Sequence, residues 1–320
     1  MSRLSVIVPC RNHEAVVGRT HARLVRVFRA SAVDAELIFV DDGSGDRTVS
    51  RLREIARADP SVRVICLSRS FGAAAAASAG LRHCAGEAAV ILDADLPDPP
   101  EEVPRMLEVM EREGCSVVYG RRIGPDGERA PGLAARARRR ILDFLSDVKL
   151  PPGDEGFRVI DRRVIDVLNG LPERNKYLRG LIGWIGFKQA AYHYVGPADG
   201  TRAAGAKSAA ARALFAFSRR PLKLAVGAGL ASVGVAVGLA VWVVVRKLAF
   251  SGETIPGWAS TVLVVLFIGG VQLLSTGILG VYIGNIFDES KGRPEYVVAE
   301  LINVDVRSRP PQPVLTGEGA

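Results

Sequence analysis

The sequence predicts an α/β fold with a mostly parallel sheet flanked by helices, followed by two transmembrane α-helices. Three apolar runs rich in β-branched residues end in polar residues, within 4–12, 35–46 and 88–95. Helical stretches at 16–30 and 47–58 separate these runs. Alternating strands and helices favour parallel strands joined by crossovers. Two long, almost uncharged stretches follow at 222–245 and 258–287.

The three strands end in residues that can bind a ligand. The first strand stops at Pro9, because proline cannot donate to a sheet ladder. The second strand runs into Asp41 and Asp42, and the third closes on Asp93 and Asp95. Open α/β sheets bind ligands at the carboxyl ends of their strands, and a nucleotide diphosphate suits such an edge.

Asp93 and Asp95 are the predicted metal ligands. Two carboxylates two residues apart at a strand end can hold a hard divalent cation, which in turn binds a diphosphate. A lone Asp-x-Asp is more often an acidic turn after a strand, but two further polar strand ends accompany this one. The sequence therefore predicts Mg²⁺ or Mn²⁺ at Asp95, with help from Asp93.

The basic excess indicates anionic partners. The net charge is +8, and seven arginines fall between 121 and 140, without the aromatic interleaving typical of nucleic-acid binding. We therefore expect no nucleic-acid partner. The expected anionic partners are lipid head groups, a nucleotide diphosphate and a lipid phosphate. Arg121 and Arg122 follow a predicted strand at 116–119, where a guanidinium can pair with a phosphate. Arg136 and Arg140 are candidates for the acceptor phosphate, although a solvated basic face explains them nearly as well.

The two apolar stretches predict a membrane protein. Each is long enough to cross a hydrocarbon core of about 30 Å, and the flanking positive charges place both termini in the cytoplasm. The four cysteines lack metal-ligand spacing and are expected to be reduced. Small-residue spacing at 234–238 and 280–284 leaves homo-oligomerisation through the spans open. The predicted organisation is a soluble domain at 1–207, an amphipathic connector at 208–221, a transmembrane region at 222–287 and a C-terminal tail at 288–320.

Together these motifs resemble the family 2 glycosyltransferases of GT-A fold, most closely the polyisoprenyl-phosphate branch. That branch includes dolichol-phosphate mannose synthases and bacterial undecaprenyl-phosphate sugar transferases. The resemblance runs from about residue 4 to about residue 298. The matching stretches, in order, are 7–12, 40–46, 67–72, 92–100, 118–122, 156–162 and 171–180.

The resemblance implies an inverting transfer of one sugar from a nucleotide sugar to a polyprenyl phosphate in the cell (inner) membrane. It also implies roles for particular residues. At the nucleotide sugar it places Pro9, Arg11, Val40, Asp42, Ala94, Arg121, Arg202 and Lys207. Of these, Val40 and Asp42 would contact the base and ribose, and the last three residues would face the phosphates. Asp154 is the candidate for an acidic residue that relatives carry before Phe-Arg.

The chain departs from its relatives at several of these positions. His13 stands where relatives have Glu, with Glu14 as a substitute from the next position, and Pro97 stands where many have Gln. The alanines at 73–77 replace a polar segment. Two alternatives to the single-sugar transferase therefore stay open. One is a processive polysaccharide synthase, and the other is a catalytically weakened, membrane-tethered scaffold that binds nucleotide sugars.

Overall fold

The computed structural model describes residues 3–123, 154–173, 178–195 and 258–304, with a few isolated positions between 229 and 245. The chain divides into two compact units. The first comprises Met1–Ala130, Leu150–Thr201 and Arg293–Ala320, and the second comprises Pro131–Lys149 and Arg202–Gly292.

A mixed sheet of eight described strands forms the centre of the first unit. The strands are β1 Leu4–Cys10, β2 Ala35–Asp41, β3 Val62–Leu67, β4 Ala88–Ile91, β5 Val117–Ile123, β6 Asp154–Asp161, β7 Gln189–Val195 and β8 Val298–Ile302. Their order across the sheet is β7-β5-β6-β4-β1-β2-β3-β8. Only β6 and β8 run antiparallel to their neighbours. The mostly parallel sheet that the sequence predicts is confirmed.

Helices cover both faces of this sheet. Among its described residues, the first unit has the helices α1 Val17–Ala30, α2 Thr48–Ala58, α3 Ala73–His83, α4 Val103–Glu113, α5 Arg162–Gly170 and α6 Leu178–Ile185. Helices α1, α2 and α4 share one hydrophobic core with alternate residues of the central strands. In α1 the buried Val17, Leu24 and Phe28 repeat at helical spacing, which explains why this segment is an amphipathic helix.

The alanine run packs α3 closely onto the opposite face of the sheet. Ala75, Ala76 and Ala77 are buried, and a Cβ added to Gly80 would lie 2.3 Å from Cγ2 of Ile7. Larger side chains would hold α3 away from β1. The departure from relatives at 73–77 therefore has a packing role in this chain.

Strand β8 joins the edge of the sheet next to β3. It lies within the segment 288–320 that the sequence analysis assigned to a tail, so part of that segment belongs to the sheet. Ser68 N donates to Val297 O at 2.9 Å, and Arg53 pairs with Glu300. The amide of Asn303 donates to Ala56 O and Val62 O at 2.7 and 3.1 Å. These contacts tie the segment to α2 and β3.

In the second unit, α7 extends over Trp258–Ser290 and contains the predicted span at 258–287. Its window Phe267–Gly284 has a mean hydropathy of 1.5, and none of that window is buried. Within the described residues it is the one helix long and apolar enough to cross a membrane. The other predicted span, at 222–245, and the connector at 208–221 lie largely or wholly outside the described residues.

Candidate functional site

The carboxyl ends of β1, β2, β3, β4, β5 and β7 meet at one edge of the sheet, because these strands run in the same direction. The antiparallel β6 and β8 begin at that edge. Four loops rise there, at 11–16, 42–47, 68–72 and 92–99. They carry most of the described residues that the sequence analysis assigned to ligand binding, and the candidate site is this edge.

The loops after β1 and β2 are joined by hydrogen bonds. Asn12, in the left-handed region with φ of 56°, donates its N–H to Ser44 Oγ at 2.9 Å. Its side-chain oxygen accepts from Gly45 N, also at 2.9 Å, and His13 N donates to Thr48 Oγ1 at 2.8 Å. These bonds fix the backbone around Pro9 and Arg11. Arg11 is exposed and available to a ligand.

His13 and Glu14, at the position where the chain departs from its relatives, both bind backbone groups of these loops. The Nδ1 atom of His13 accepts from Arg11 N at 3.0 Å. Glu14 Oε2 accepts from Arg47 N at 2.9 Å. The histidine therefore shapes the loop that carries Arg11, and the glutamate links it to the start of α2.

Asp42 anchors the loop that follows β3. Asp42 is 5 % exposed, and its carboxylate accepts from Ser70 Oγ at 2.8 Å, Phe71 N at 2.7 Å and Gly72 N at 3.0 Å. Charge-assisted bonds of this kind are stronger than neutral ones. The structure thus gives Asp42 a role in shaping the site, and its predicted contact with a ribose stays a prediction.

Residues on either side of Asp42 are packed just as tightly. Gly43 has φ of 65°, and a Cβ there would lie 2.5 Å from the carbonyl carbon of Arg69, so only glycine lets the two loops meet. Val40 is fully buried, and its carbonyl accepts from the thiol of Cys10 at 3.5 Å. Burial, and next the charge of Asp41, raise the pKa of Cys10 well above its ordinary value, so the thiol stays protonated.

Asp93 and Asp95 lie on a tight turn directly after β4. Both are exposed, while Ala94 between them is 2 % exposed. Leu96 N donates to Asp93 O at 2.9 Å and closes the turn. The hydroxyl of Thr20, on α1, donates to Ala94 O at 2.5 Å. The backbone of the turn is therefore fixed, and both aspartates are exposed residues at the ligand edge.

The donor set at this turn fits Mg²⁺ or Mn²⁺. Within the described ranges, no group of three or more His, Cys, Asp or Glu side chains forms a complete metal cage. Mg²⁺ does not need one, because it keeps several waters and binds through one or two carboxylates plus substrate phosphates. Asp93 and Asp95, both exposed residues, are the ones that would hold the ion.

Strand β5 carries the two arginines predicted at the phosphates and extends further than the predicted strand at 116–119. Arg122 is mostly buried, and its Nη2 atom lies 3.1 Å from Oδ1 of Asp98. It is therefore engaged inside the protein, a contact that the sequence analysis missed. Arg121 pairs in register with Asp154 at the start of β6, so the backbone brings these two predicted residues side by side.

Two residues of the site region went unrecognised in the sequence. Asp98 and Tyr194 are both about 3 % exposed, and the Tyr194 hydroxyl donates to Asp98 Oδ1 at 2.7 Å. Asp98 lies inside the motif at 92–100, but nothing in the sequence links it to a tyrosine 96 residues away. The predicted Arg136, Arg140, Arg202 and Lys207 lie outside the described residues.

Comparison with known proteins gives a family match over the first half of the chain and relatives that match nearly all of it. The model of the family described as Glycosyl transferase family 2 matches residues 5–168. A Bacillus subtilis protein named uncharacterized glycosyltransferase YkcC is 38% identical over 310 residues, covering 94% of each chain. A bactoprenol glucosyl transferase from Shigella phage SfV is 31% identical and covers 92% of this chain and 98% of its own.

Solved structures with similar folds are more distant. A mannosyltransferase from Pyrobaculum calidifontis in complex with GDP-Man and Mn²⁺ is 17% identical, covers 90% of this chain and 88% of its own, and has a TM-score of 0.44. Staphylococcus aureus TarS 1–349 in complex with UDP-GlcNAc is 14% identical, covers 91% and 82%, and has a TM-score of 0.43.

Proposed function

Because the chain belongs to glycosyl transferase family 2, we propose that it moves one sugar from a nucleotide-diphosphate sugar to a polyprenyl phosphate. The chain is a glycosyltransferase, and its mixed α/β sheet is the GT-A fold. Relatives named bactoprenol glucosyl transferase support the lipid acceptor, since the similarity covers 92% and 93% of this chain. The product would be a polyprenyl-phosphate monosaccharide for modification of a surface glycan.

The observation that carries this proposal is the fixed turn that exposes Asp93 and Asp95 beside the loops held by Asp42. A nucleotide sugar needs two things from a protein: a surface for the nucleoside and a neutraliser for the diphosphate. The interlocked loops at 11–16, 42–47 and 68–72 provide the surface. The two carboxylates provide ligands for a divalent cation.

The chemical difficulty of the transfer is the charge on the leaving group. When bound at Asp93 and Asp95, Mg²⁺ or Mn²⁺ supplies a Lewis acid that stabilises the diphosphate as it departs. Arg121 would pair with a phosphate from β5, and Arg202 and Lys207 would do the same from the segment before the membrane. These residues bind and orient the diphosphate, and fixed electrostatics of this kind supplies much of the rate enhancement of enzymes.

The acceptor phosphate is already an anion at neutral pH, so it can attack the anomeric carbon without a strong general base. Attack on the face opposite the leaving group would invert the anomeric configuration. Arg136 and Arg140 would hold the acceptor phosphate, and positioning of the two reactants would do most of the remaining work. Asp154, whose backbone lies beside Arg121, is the acidic residue that we assign to this part of the site.

The lipid acceptor requires the enzyme to work at a membrane. We propose that α7 crosses the cell (inner) membrane and that the stretch 222–245 forms the second span. Both termini and the catalytic domain would lie on the cytoplasmic side, where nucleotide sugars are made. The exposed apolar surface of α7 supports this arrangement, because such a surface is stable in lipid rather than in water.

The test is a transfer assay with the purified protein in detergent. Polyprenyl phosphate, Mg²⁺ or Mn²⁺, and a panel of UDP- and GDP-sugars are supplied, and the lipid fraction is analysed by mass spectrometry. We expect one donor to add a single sugar to the lipid phosphate. A product with many sugars would indicate a processive synthase. Binding of a nucleotide sugar without any lipid product would indicate the scaffold.

A further inference from the structure

The loop that carries Asp93 and Asp95 is held from both of its sides. On one side, α1 contributes the Thr20 hydroxyl, which donates to Ala94 O at 2.5 Å. On the other side, the loop reaches β5 and β7 through the buried carboxylate of Asp98. Asp98 therefore stands three residues after Asp95 at the point where the loop is joined to the far half of the sheet.

Asp98 is a buried residue with two side-chain partners. Its Oδ1 atom accepts from the Tyr194 hydroxyl at 2.7 Å and from Nη2 of Arg122 at 3.1 Å. The ring of Tyr194 packs edge-on against Phe157 with centroids 5.4 Å apart. A Cβ on Gly120 would lie 2.6 Å from Phe157 and 2.9 Å from Tyr194, so this part of β5 requires glycine. These packing contacts hold the ring of Tyr194 independently of its hydrogen bond to Asp98.

Tyr194 is a dependable donor in this arrangement. Burial, and next its hydrogen bond to Asp98, raise the pKa of Tyr194 to about 12. The hydroxyl therefore keeps its proton throughout the physiological pH range, and it can donate a hydrogen bond to Asp98 at any pH in that range.

The backbone between Asp95 and Asp98 is strained, and the hydrogen bonds of Asp98 to Tyr194 and Arg122 help to hold it in that conformation. Leu96 has φ of 49°, a left-handed conformation that residues with a side chain rarely adopt. Leu96 is also 8 % exposed and belongs to the hydrophobic core. Strained backbone persists only where its surroundings over-determine it, and here the constraints are the buried Leu96 side chain and the carboxylate of Asp98.

We propose that Asp98 is a positioning residue that binds Tyr194 and Arg122 in order to hold the strained turn, and hence Asp95, at the angle that a metal–diphosphate complex requires. The proposal rests on the proposed function, because it takes Asp95 as a metal ligand. The same contact fixes the end of β5 next to Arg121, the residue that precedes Arg122 on that strand. Asp98 thereby sets the spacing between the metal turn and a phosphate-binding arginine.

The variant Tyr194→Phe tests the proposal with the least disturbance. It removes one hydrogen bond to Asp98 and keeps the ring that packs on Phe157 and Gly120. Asp98→Ala is less informative, because it takes the carboxylate away from the mostly buried Arg122 and endangers the fold. Tyr192→Phe is the matched control: Tyr192 lies two residues earlier on β7, and its hydroxyl donates to Glu102 Oε2 at 2.5 Å, beyond the metal turn.

The measurement is the affinity for Mn²⁺ in the presence of UDP or GDP, without sugar or lipid, from the free Mn²⁺ signal in electron paramagnetic resonance. The full-length protein in detergent is used, and melting temperatures are recorded in parallel. We expect Tyr194→Phe to weaken Mn²⁺ binding roughly fivefold, the factor equivalent to one hydrogen bond of about 1 kcal/mol. Tyr192→Phe should leave Mn²⁺ binding unchanged while lowering the melting temperature comparably.

A reference variant separates failure of this proposal from failure of the proposed function. Asp95→Asn should abolish nucleotide-dependent Mn²⁺ binding. If it does and Tyr194→Phe binds Mn²⁺ like the parent protein, or if both tyrosine variants weaken binding equally, the positioning role of Asp98 is overturned and the metal site stands. If Asp95→Asn binds Mn²⁺ like the parent protein, the metal assignment and the role of Asp98 fall together.

Discussion

Gly43→Ala tests whether the loops after β2 and β3 meet as closely as the structure shows. Gly43 has φ of 65°, and an added Cβ would lie 2.5 Å from the carbonyl carbon of Arg69 and 2.6 Å from the nitrogen of Ser70. These are backbone atoms and cannot swing aside like the end of a flexible side chain. The substitution therefore combines backbone strain with a steric overlap inside the candidate nucleotide site.

The expected loss of stability follows from the two effects. A left-handed residue with a side chain costs about 1–2 kcal/mol, and overpacking against fixed atoms costs about 1–3 kcal/mol. Together they lower the free energy of unfolding by about 2–5 kcal/mol. For a domain of this size, 1 kcal/mol corresponds to roughly 2–4 °C in Tm, so Tm should fall by roughly 10 °C. UDP or GDP binding should weaken as well, because Ser70 and its bond to Asp42 are displaced.

Two other glycines provide matched controls for this measurement. Gly114 is the C-cap residue of α4, with φ of 55°, and no atom lies within 4 Å of a Cβ added there. Gly114→Ala should therefore lower Tm by only a few degrees and leave nucleotide binding unchanged. Gly18 lies in α1 with ordinary backbone angles and open space around it, so Gly18→Ala should stabilise by about 0.5–1 kcal/mol. Equal losses for Gly43→Ala and Gly114→Ala would refute the close approach of the two loops.

Three further outcomes are expected. Asp42→Asn keeps the shape of the side chain but removes its charge, so we expect faster hydrogen exchange at the amides of Phe71 and Gly72; unchanged exchange would contradict the anchoring role. The four cysteines are buried, and burial raises the pKa of each thiol, to about 11 for Cys66 and Cys84. Maleimide labelling of the native protein should therefore be negligible at pH 7 and rise with pH towards 11. Rapid labelling at neutral pH would contradict the burial of these thiols. Asn303→Ala removes two hydrogen bonds to α2 and the start of β3. Strand β8 should therefore become more sensitive to protease, and Tm should fall by a few degrees. Protease resistance equal to that of the parent protein would show that these bonds do not hold the strand.

The parts of the fold that depend on local pattern were predictable from the sequence. The predicted helices at 16–30 and 47–58 end where α1 and α2 end and begin one residue early, because their apolar spacing is regular. The turn after β4 was also predictable, because an apolar strand followed by alternating carboxylates is a local feature, and the structure exposes Asp93 and Asp95 while burying Ala94. The role of the two carboxylates as metal ligands stays a prediction.

The parts that depend on contacts between distant residues were not predictable. Strand β8 forms because five residues near the end of the chain find the free edge of β3, and such a short segment carries little signal of its own. In the sequence, nothing distinguishes Asp98 from the other acidic residues of its loop, because its partner Tyr194 is brought to it only by the fold. Arg122 was assigned to a phosphate for want of that same information, and only the folded structure reveals its internal partner.

The most direct test of the central claim is the mass of the polyprenyl phosphate after incubation with the parent protein and with Asp95→Asn. Glu87→Gln is the control, because Glu87 is an exposed carboxylate just before β4, at the opposite edge of the sheet. We predict that the parent and Glu87→Gln each add one sugar to the lipid phosphate in a reaction that requires Mg²⁺ or Mn²⁺, and that Asp95→Asn adds none while melting at the same temperature. Full transfer by Asp95→Asn, or transfer by the parent in the presence of a metal chelator, would contradict the account.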